Sequence, residues 1–245
     1  MLYLIGLGLN DEGDIPIKAL DAMKGCAEVY AELYTSAWKG DLGQLEKRSG
    51  KKIEILPREK VESDFLVKRA ETRPIALLIP GDPLAATTHI DLLMRAKKAG
   101  IEVKVIHASS IFTAIAECGL QLYKFGRTTT VPKPQQGFTP TSPLETIAEN
   151  AKSGLHTLVL LDIPMKISEG LQILLEMEEK LRLGIISRSS KVVACAAIGD
   201  EAQVIKCGTI AELTCAGIEQ TPACIVVPGK LHFSEEEALE LYAKK

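Results

Sequence analysis

The segment Ile75–Pro83 constrains the fold of this chain more than any other stretch. It consists of five apolar residues that run directly into Pro80-Gly81, and so short an apolar run with that ending is typical of a buried strand. Pro80 has no N–H for a sheet ladder and Gly81 can adopt a positive φ, so the backbone is predicted to turn there. Asp82 lies in the turn. It either caps the next helix or faces a ligand, because α/β proteins bind ligands at the carboxyl ends of strands.

Strand and helix patterns alternate through the first half of the chain. The strands are predicted over residues 2–7, 28–34, 53–56, 75–79 and 102–106. The helices are predicted over residues 14–25 (with Asp14 as the cap), 41–48, 61–70 and 87–99. Such alternation predicts a mostly parallel sheet with helices on its faces.

The second half has a different organisation. Strands are predicted over residues 128–131, 156–163, 192–198, 203–208 and 223–227, with helices over 142–152 and 168–183. Capping boxes are expected at Ser142, Thr209 and Ser234. The aperiodic loop 132–141 is either functional or a connector. We therefore expect two α/β lobes, residues 1–112 and 113–245.

Other strand ends also carry candidate ligand contacts. The Gly6-Leu7-Gly8 turn lacks the third glycine of a dinucleotide site but would leave Leu9 exposed. Of Ser109 and Ser110, one is expected to cap the following helix, and the other is free to face a ligand. The strand before Pro228-Gly229 repeats the ending of residues 75–81, and His232 follows that turn either as a structural residue or as a site residue.

Composition excludes several classes of function. A net charge of −3 with 25% charged residues argues against a nucleic-acid binder. No apolar run approaches 18 residues and the first residues lack a charged leader, so we expect a cytoplasmic protein without a membrane span. The six cysteines form no C-x-x-C pair and the four histidines no H-E-x-x-H, which favours reduced thiols and no metal site.

Several motifs together give the chain a resemblance to a known family. They are Leu4–Leu9, Pro80–His89, His107–Ile111, Leu158–Ile163 and Pro228–Phe233. With these motifs the sequence resembles the diphthine synthases, methyltransferases of the class III, tetrapyrrole-methylase-like fold. The resemblance covers essentially the whole chain and implies two α/β lobes with the cofactor in the cleft between them. In lacking additional domains, the chain resembles the archaeal members of the family.

The resemblance also implies a reaction and a set of contacts. S-adenosylmethionine would donate three methyl groups to the amino group of a modified histidine on translation elongation factor 2, leaving S-adenosylhomocysteine, and the enzyme would be a cytoplasmic homodimer. The cofactor contacts carried over by motif are Leu9, Asp82, Ala85, Ser110, Ile111, Leu161, Cys207 and His232. No catalytic residue is assigned by it.

The chemistry of methyl transfer agrees with this set of contacts. Displacement from a sulfonium needs the nucleophile, methyl and sulfur in line, in an apolar and dry site, which suits Leu9, Ala85, Ile111 and Leu161. Asp82 is expected to accept hydrogen bonds from the cofactor rather than act as a base. The rival functions are a tetrapyrrole or ribosomal RNA methyltransferase of the same fold, an oxidoreductase using the Gly-x-Gly turn, and a non-enzymatic nucleotide-binding module.

Overall fold

A computed structural model of the chain describes residues 1–134 and 140–243. The chain forms two compact units, Met1–Thr113 and Ala114–Lys245, whose boundary is one residue beyond that expected from the sequence. None of the helices in the described ranges combines the length and the apolar character needed to cross a bilayer. Residues 135–139 of the aperiodic loop 132–141 lie outside the described part.

The first unit alternates strands and helices. Its strands are β1 (Leu2–Gly6), β2 (Glu28–Ala31), β3 (Ile53–Ile55), β4 (Ile75–Ile79) and β5 (Val103–Ile106). Its helices are α1 (Ile17–Gly25), α2 (Leu42–Ser49), α3 (Arg58–Glu62), α4 (Phe65–Thr72) and α5 (Ile90–Lys98), and the short α6 (Ile111–Ala114) contains the boundary.

All strand pairs of the first sheet are parallel, in the order β3-β2-β4-β1-β5. The predicted parallel sheet and the strand over 75–79 are thereby confirmed. Leu4 and Leu77 pack on one face with residues of α4 and α5, whereas Ile5 and Leu78 pack on the other with residues of α1 and α2. Because both faces are covered, β1 and β4 are apolar, and the carboxyl ends of the parallel strands form one edge.

The second unit contains a mixed sheet. Its strands are β6 (Thr129–Val131), β7 (Thr157–Leu161), β8 (Lys191–Ala196), β9 (Val204–Thr209) and β10 (Ala223–Val227). Its helices are α7 (Ser142–Lys152), α8 (Ile167–Leu181), α9 (Ile210–Thr214) and α10 (Phe233–Ala243), with 3-10 turns at Ile115–Cys118 and Leu122–Lys124.

The strand order of this second sheet is β6-β7-β10-β8-β9. Only β6 and β7 run parallel; β10 is antiparallel to both β7 and β8, and β8 to β9. Leu171 and Leu174 of α8 pack with Val159 and Ile225 of the sheet in one core. Two sheets with covering helices confirm the expected α/β class.

Several local predictions were wrong. Asp14 does not cap α1, because its Oδ2 accepts the Asn10 N–H at 2.8 Å. The predicted helix over 61–70 is two helices, separated at Ser63 and Asp64. Strand β2 ends at Ala31, three residues before the predicted end at residue 34. The last three residues of β2 are buried.

The three predicted capping boxes had different outcomes. Thr209 and Glu212 form the expected box at α9. Thr141, not Ser142, is the N-cap residue of α7. At α10 the expected Ser234 cap is wrong, because the helix begins at Phe233.

Candidate functional site

Two glycine turns join the carboxyl ends of β1 and β4. Gly8 and Gly81 exchange backbone hydrogen bonds of 3.2 and 2.8 Å, and both have positive φ, +83° and +70°. Gly6 approaches so closely that an added Cβ would lie 2.5 Å from the Gly81 carbonyl oxygen. The turns therefore need glycine, and they place Leu9 directly beside the turn that carries Asp82.

Asp82 connects the turn after β4 to the segment after β5. Its Oδ1 accepts the Leu84 N–H at 3.0 Å. Its Oδ2 lies 2.7 Å from Nδ1 of His107 and accepts the Ala108 N–H at 3.3 Å. Helix α5 begins only at Ile90, so the helix-cap interpretation of Asp82 was wrong.

The segment after β5 carries the next pair of predicted contacts. Ser110 is buried, and its carbonyl oxygen accepts the N–H and the hydroxyl of Thr113 at 3.1 and 3.0 Å. Ile111 begins α6. Because β1, β4 and β5 are neighbours, the fold brings Leu9, Asp82, Ala85, Ser110 and Ile111 to one edge of the first sheet.

A buried ionisable pair near this edge was not identified from the sequence. Glu32 follows β2 and its Oε2 accepts the N–H groups of Tyr34 and Thr35 at 3.0 and 3.1 Å. Its Oε1 lies 3.7 Å from Nε2 of His89, and both side chains are almost fully buried. Burial raises the pKa of Glu32 and lowers the pKa of His89 to about 4. The sequence signal that could have identified this pair is the acidic residue Glu32 directly after strand β2.

In the second unit, Leu161 ends β7 and packs against α8. Its exposed fraction is 5%, and a Cβ added to Gly170 would lie 2.6 Å from its Cδ2. Leu161 therefore lies in the apolar core at a strand end.

Cys207, on β9, lines an open cleft of about 950 Å³. Gly229 and Leu231 of the turn after β10 line the same cleft, together with charged side chains that include Lys206 and Glu236. Burial raises the pKa of the Cys207 thiol, so it is neutral at physiological pH. None of the six cysteines, all of which lie within the described residues, forms a disulfide.

His232 is the last residue of that turn and is exposed. Its Nδ1 lies 3.0 Å from the hydroxyl of Ser234, and its ring centroid is 4.2 Å from that of Phe233. His232 and Leu161 are not among the residues that line the cleft, so of the three predicted contacts in this unit only Cys207 does so.

The chain is similar over nearly its whole length to proteins of one family. The family profile described as Tetrapyrrole (Corrin/Porphyrin) Methylases matches residues 1–214. The diphthine synthase of Methanocaldococcus jannaschii is 43% identical and covers 98% of each chain. The diphthine synthase of Methanothermobacter thermautotrophicus is 45% identical over 98% of this chain and 94% of its own. A candidate diphthine synthase of known structure from Entamoeba histolytica superposes with a TM-score of 0.93, at 38% identity, over 100% of this chain and 99% of that one.

Proposed function

We propose that this chain, which belongs to the tetrapyrrole (corrin/porphyrin) methylase family, methylates translation elongation factor 2 during diphthamide biosynthesis. It is an S-adenosylmethionine-dependent methyltransferase of the diphthine synthase type. The observation that carries the proposal is the similarity to diphthine synthases over 98% of the chain. The acceptor is the amino group of a modified histidine, and three transfers to it give a trimethylammonium product.

The edge of the first sheet fits the cofactor. An added Cβ at Gly81 would meet no atom within 4 Å, so the backbone at this turn is open to a ligand. A carboxylate offers about four acceptor positions, and Asp82 uses three of them for Leu84, His107 and Ala108, which leaves one for a donor on the cofactor. Leu9, Ala85 and Ile111 supply apolar contacts around it.

The bound cofactor supplies a methyl group on a sulfonium, and we assign the protein a positioning role. The eight residues that we propose to hold it are Leu9, Asp82, Ala85, Ser110, Ile111, Leu161, Cys207 and His232. The apolar members exclude water, and fixing the reacting groups in line can contribute roughly 7–11 kcal/mol to the barrier reduction. We assign no protein nucleophile, and the amine must attack in its unprotonated form.

The remaining parts of the proposal rest on the resemblance. They are a homodimer, a cytoplasmic location, and elongation factor 2 rather than a nucleic acid as the macromolecular partner. The net charge of −3 supports the last point.

One assay tests the function. The purified protein is incubated with methyl-labelled S-adenosylmethionine and elongation factor 2 that carries the unmethylated histidine precursor. We expect label on the factor, and mass spectrometry counts the methyl groups per histidine. The control is elongation factor 2 without the precursor, which should stay unlabelled. Label on ribosomal RNA or on a corrinoid, with none on the factor, would contradict the proposal.

A further inference from the structure

We propose that His156, Glu235 and Lys124 form a buried network that positions the turn over residues 228–232, and with it the His232 contact to the cofactor. This inference rests on the proposed function, since His232 matters to the network's role only as a cofactor contact. All three act by positioning the backbone of this turn. His156 and Lys124 reach it from positions far away in the sequence.

His156 holds the start of the turn. Its Nδ1 accepts the Gly229 N–H at 2.9 Å, and its Nε2 lies 3.1 Å from Oε1 of Glu235. A ring nitrogen that accepts from a peptide N–H carries no proton, so the proton of the neutral ring is on Nε2 and is donated to Glu235. The side chain is fully buried, with the Phe125 ring edge-on at 5.4 Å between centroids.

Glu235 holds the end of the turn. Its Oε2 accepts the His232 N–H at 2.8 Å, and its Oε1 also accepts the Gln121 N–H at 3.0 Å. Burial alone would raise the pKa of Glu235, but hydrogen bonds from Lys124, Gln121, His232 and His156 together lower it to about 2. The four donors fill the acceptor positions of a carboxylate, so Glu235 is charged and fully bonded at physiological pH.

Lys124 holds the middle of the turn. Its ammonium group forms an ion pair with Glu235 and donates to the Lys230 carbonyl oxygen at 2.8 Å. The Lys230 N–H bonds to the Gly154 carbonyl oxygen at 3.1 Å. A Cβ added to Gly229 would lie 2.4 Å from the Leu155 carbonyl oxygen, so the turn is pressed against the segment before β7.

Stability alone does not account for this arrangement. Apolar side chains of similar volume commonly stabilise a core as well as a buried ion pair does, whereas charged hydrogen bonds fix a backbone geometry. The geometry fixed here is that of Gly229 and His232, and Gly229 lines the same cleft as Cys207, another proposed cofactor contact. The network therefore orders the turn before the cofactor binds.

The test compares the full-length wild type with Lys124→Met, His156→Gln and Glu235→Gln. The matched control is Glu237→Gln, which removes an exposed carboxylate from the same helix. Isothermal titration gives the Kd of S-adenosylhomocysteine, kinetics give the KM for S-adenosylmethionine and kcat, and hydrogen exchange reports the amides of Gly229 and His232.

In each network variant we expect the Kd and the KM to rise about tenfold, because the turn loses a charged or buried hydrogen bond. We expect kcat at saturating cofactor to stay within about twofold, since no network residue touches the reacting atoms. Exchange should accelerate at Gly229 and His232 but not in β10, and Glu237→Gln should match the wild type throughout.

A lower melting temperature in the network variants with an unchanged Kd would overturn the inference, because the network would then be structural only. If His156→Gln or Glu235→Gln fails to fold, Lys124→Met decides, since its side chain is one-fifth exposed. A wild type that does not bind S-adenosylhomocysteine would contradict the proposed function itself. A wild type that binds it, with variants that bind equally well, would contradict only the network.

Discussion

Asp82 and His89 differ in the hydrogen-bond partners that their surroundings supply. Donors surround Asp82: two backbone N–H groups and the ring of His107. His89 has the opposite environment, since within the described residues neither of its ring nitrogens has a hydrogen-bond partner. The first environment supplies hydrogen-bond donors to a carboxylate and leaves room for a ligand donor, and the second lowers the pKa of the His89 ring by burial.

Replacing Asp82 by Asn tests its assignment to cofactor binding. We expect Asp82→Asn to weaken S-adenosylhomocysteine binding about tenfold, because the carboxylate charge and one of its two acceptor oxygens are lost, while turnover at saturating cofactor is kept. Titration calorimetry and steady-state kinetics measure the two effects. Asp21→Asn, at an exposed position of α1, is the control. Unchanged affinity with lost turnover would contradict the binding assignment.

The buried His89 predicts an acid-sensitive first unit. Its pKa is about 4 in the folded chain against 6.5 in the unfolded one, so between these values the unfolded state binds more protons. The free energy of unfolding should therefore fall by about 3 kcal/mol as the pH is lowered from about 6.5 to 4.

Urea unfolding followed by the fluorescence of Trp38, the single tryptophan, measures this effect in the same unit. His89→Gln should show a shallower pH dependence by about that amount. The raised pKa of Glu32 makes its own contribution to the free energy of unfolding increase as the pH falls. Glu32 is present in both proteins, so the comparison reports the effect of His89. Parallel pH curves for the two proteins would refute the prediction.

At the scale of elements, Gly6 is where β1 meets the turns after β4 and β5. An alanine there would place its Cβ 2.5 Å from the Gly81 carbonyl oxygen and 2.7 Å from the Ala108 Cβ, and neither neighbour is a flexible side-chain end. We expect Gly6→Ala to cost about 1–3 kcal/mol of stability and to weaken cofactor binding, because the turns carrying Leu9 and Asp82 separate.

Gly50→Ala is the control for this substitution. Gly50 has φ +69° at the end of α2, with open space around its Cβ position, so alanine there costs about 1 kcal/mol of strain without touching the site. Chemical unfolding and calorimetric titration of both variants measure the difference. Equal cofactor affinity in the two variants would show that the close approach at Gly6 does not shape the site.

Sequence patterns predicted the order and type of most elements of the first unit because β1 and β4 are short apolar runs and strands alternate with helices along the chain. They could not give the order of β7, β10 and β8, since antiparallel pairing over long separations leaves no local signal. The helix start at α10 was missed for a similar reason. Ser234 and Glu237 have the spacing of a capping box, but a partner 79 residues away, His156, is paired with Glu235 instead.

The candidate site was predictable in part for the same physical reason. Strand ends are local signals, and they indicated Leu9, Asp82 and the pair Ser109 and Ser110, of which the family resemblance selects Ser110. The partners that orient the side chains were not, because His107 lies 25 residues from Asp82 and Glu32 lies far from His89 in sequence.

For the whole molecule, ligand binding should appear as added stability. At free S-adenosylhomocysteine of about 100 times its Kd, mass action adds about 2.7 kcal/mol to the free energy of unfolding. In a chain of this size that raises the melting temperature by roughly 5–11 °C. Differential scanning calorimetry at increasing ligand concentration measures the shift, with adenosine at equal concentration as the control. A melting temperature independent of the ligand would contradict the assigned cofactor.

The central position of β10 has a consequence for synthesis on the ribosome. The sheet of the first unit is complete once residue 106 has emerged, whereas β7 and β8 must wait for the strand that lies between them. The 62 residues from the end of β7 to the start of β10 take roughly 3–12 s to translate. During that interval β7 presents an unpaired edge, and β8 presents another from the moment it is made, so we expect the nascent second unit to depend more on a chaperone than the first.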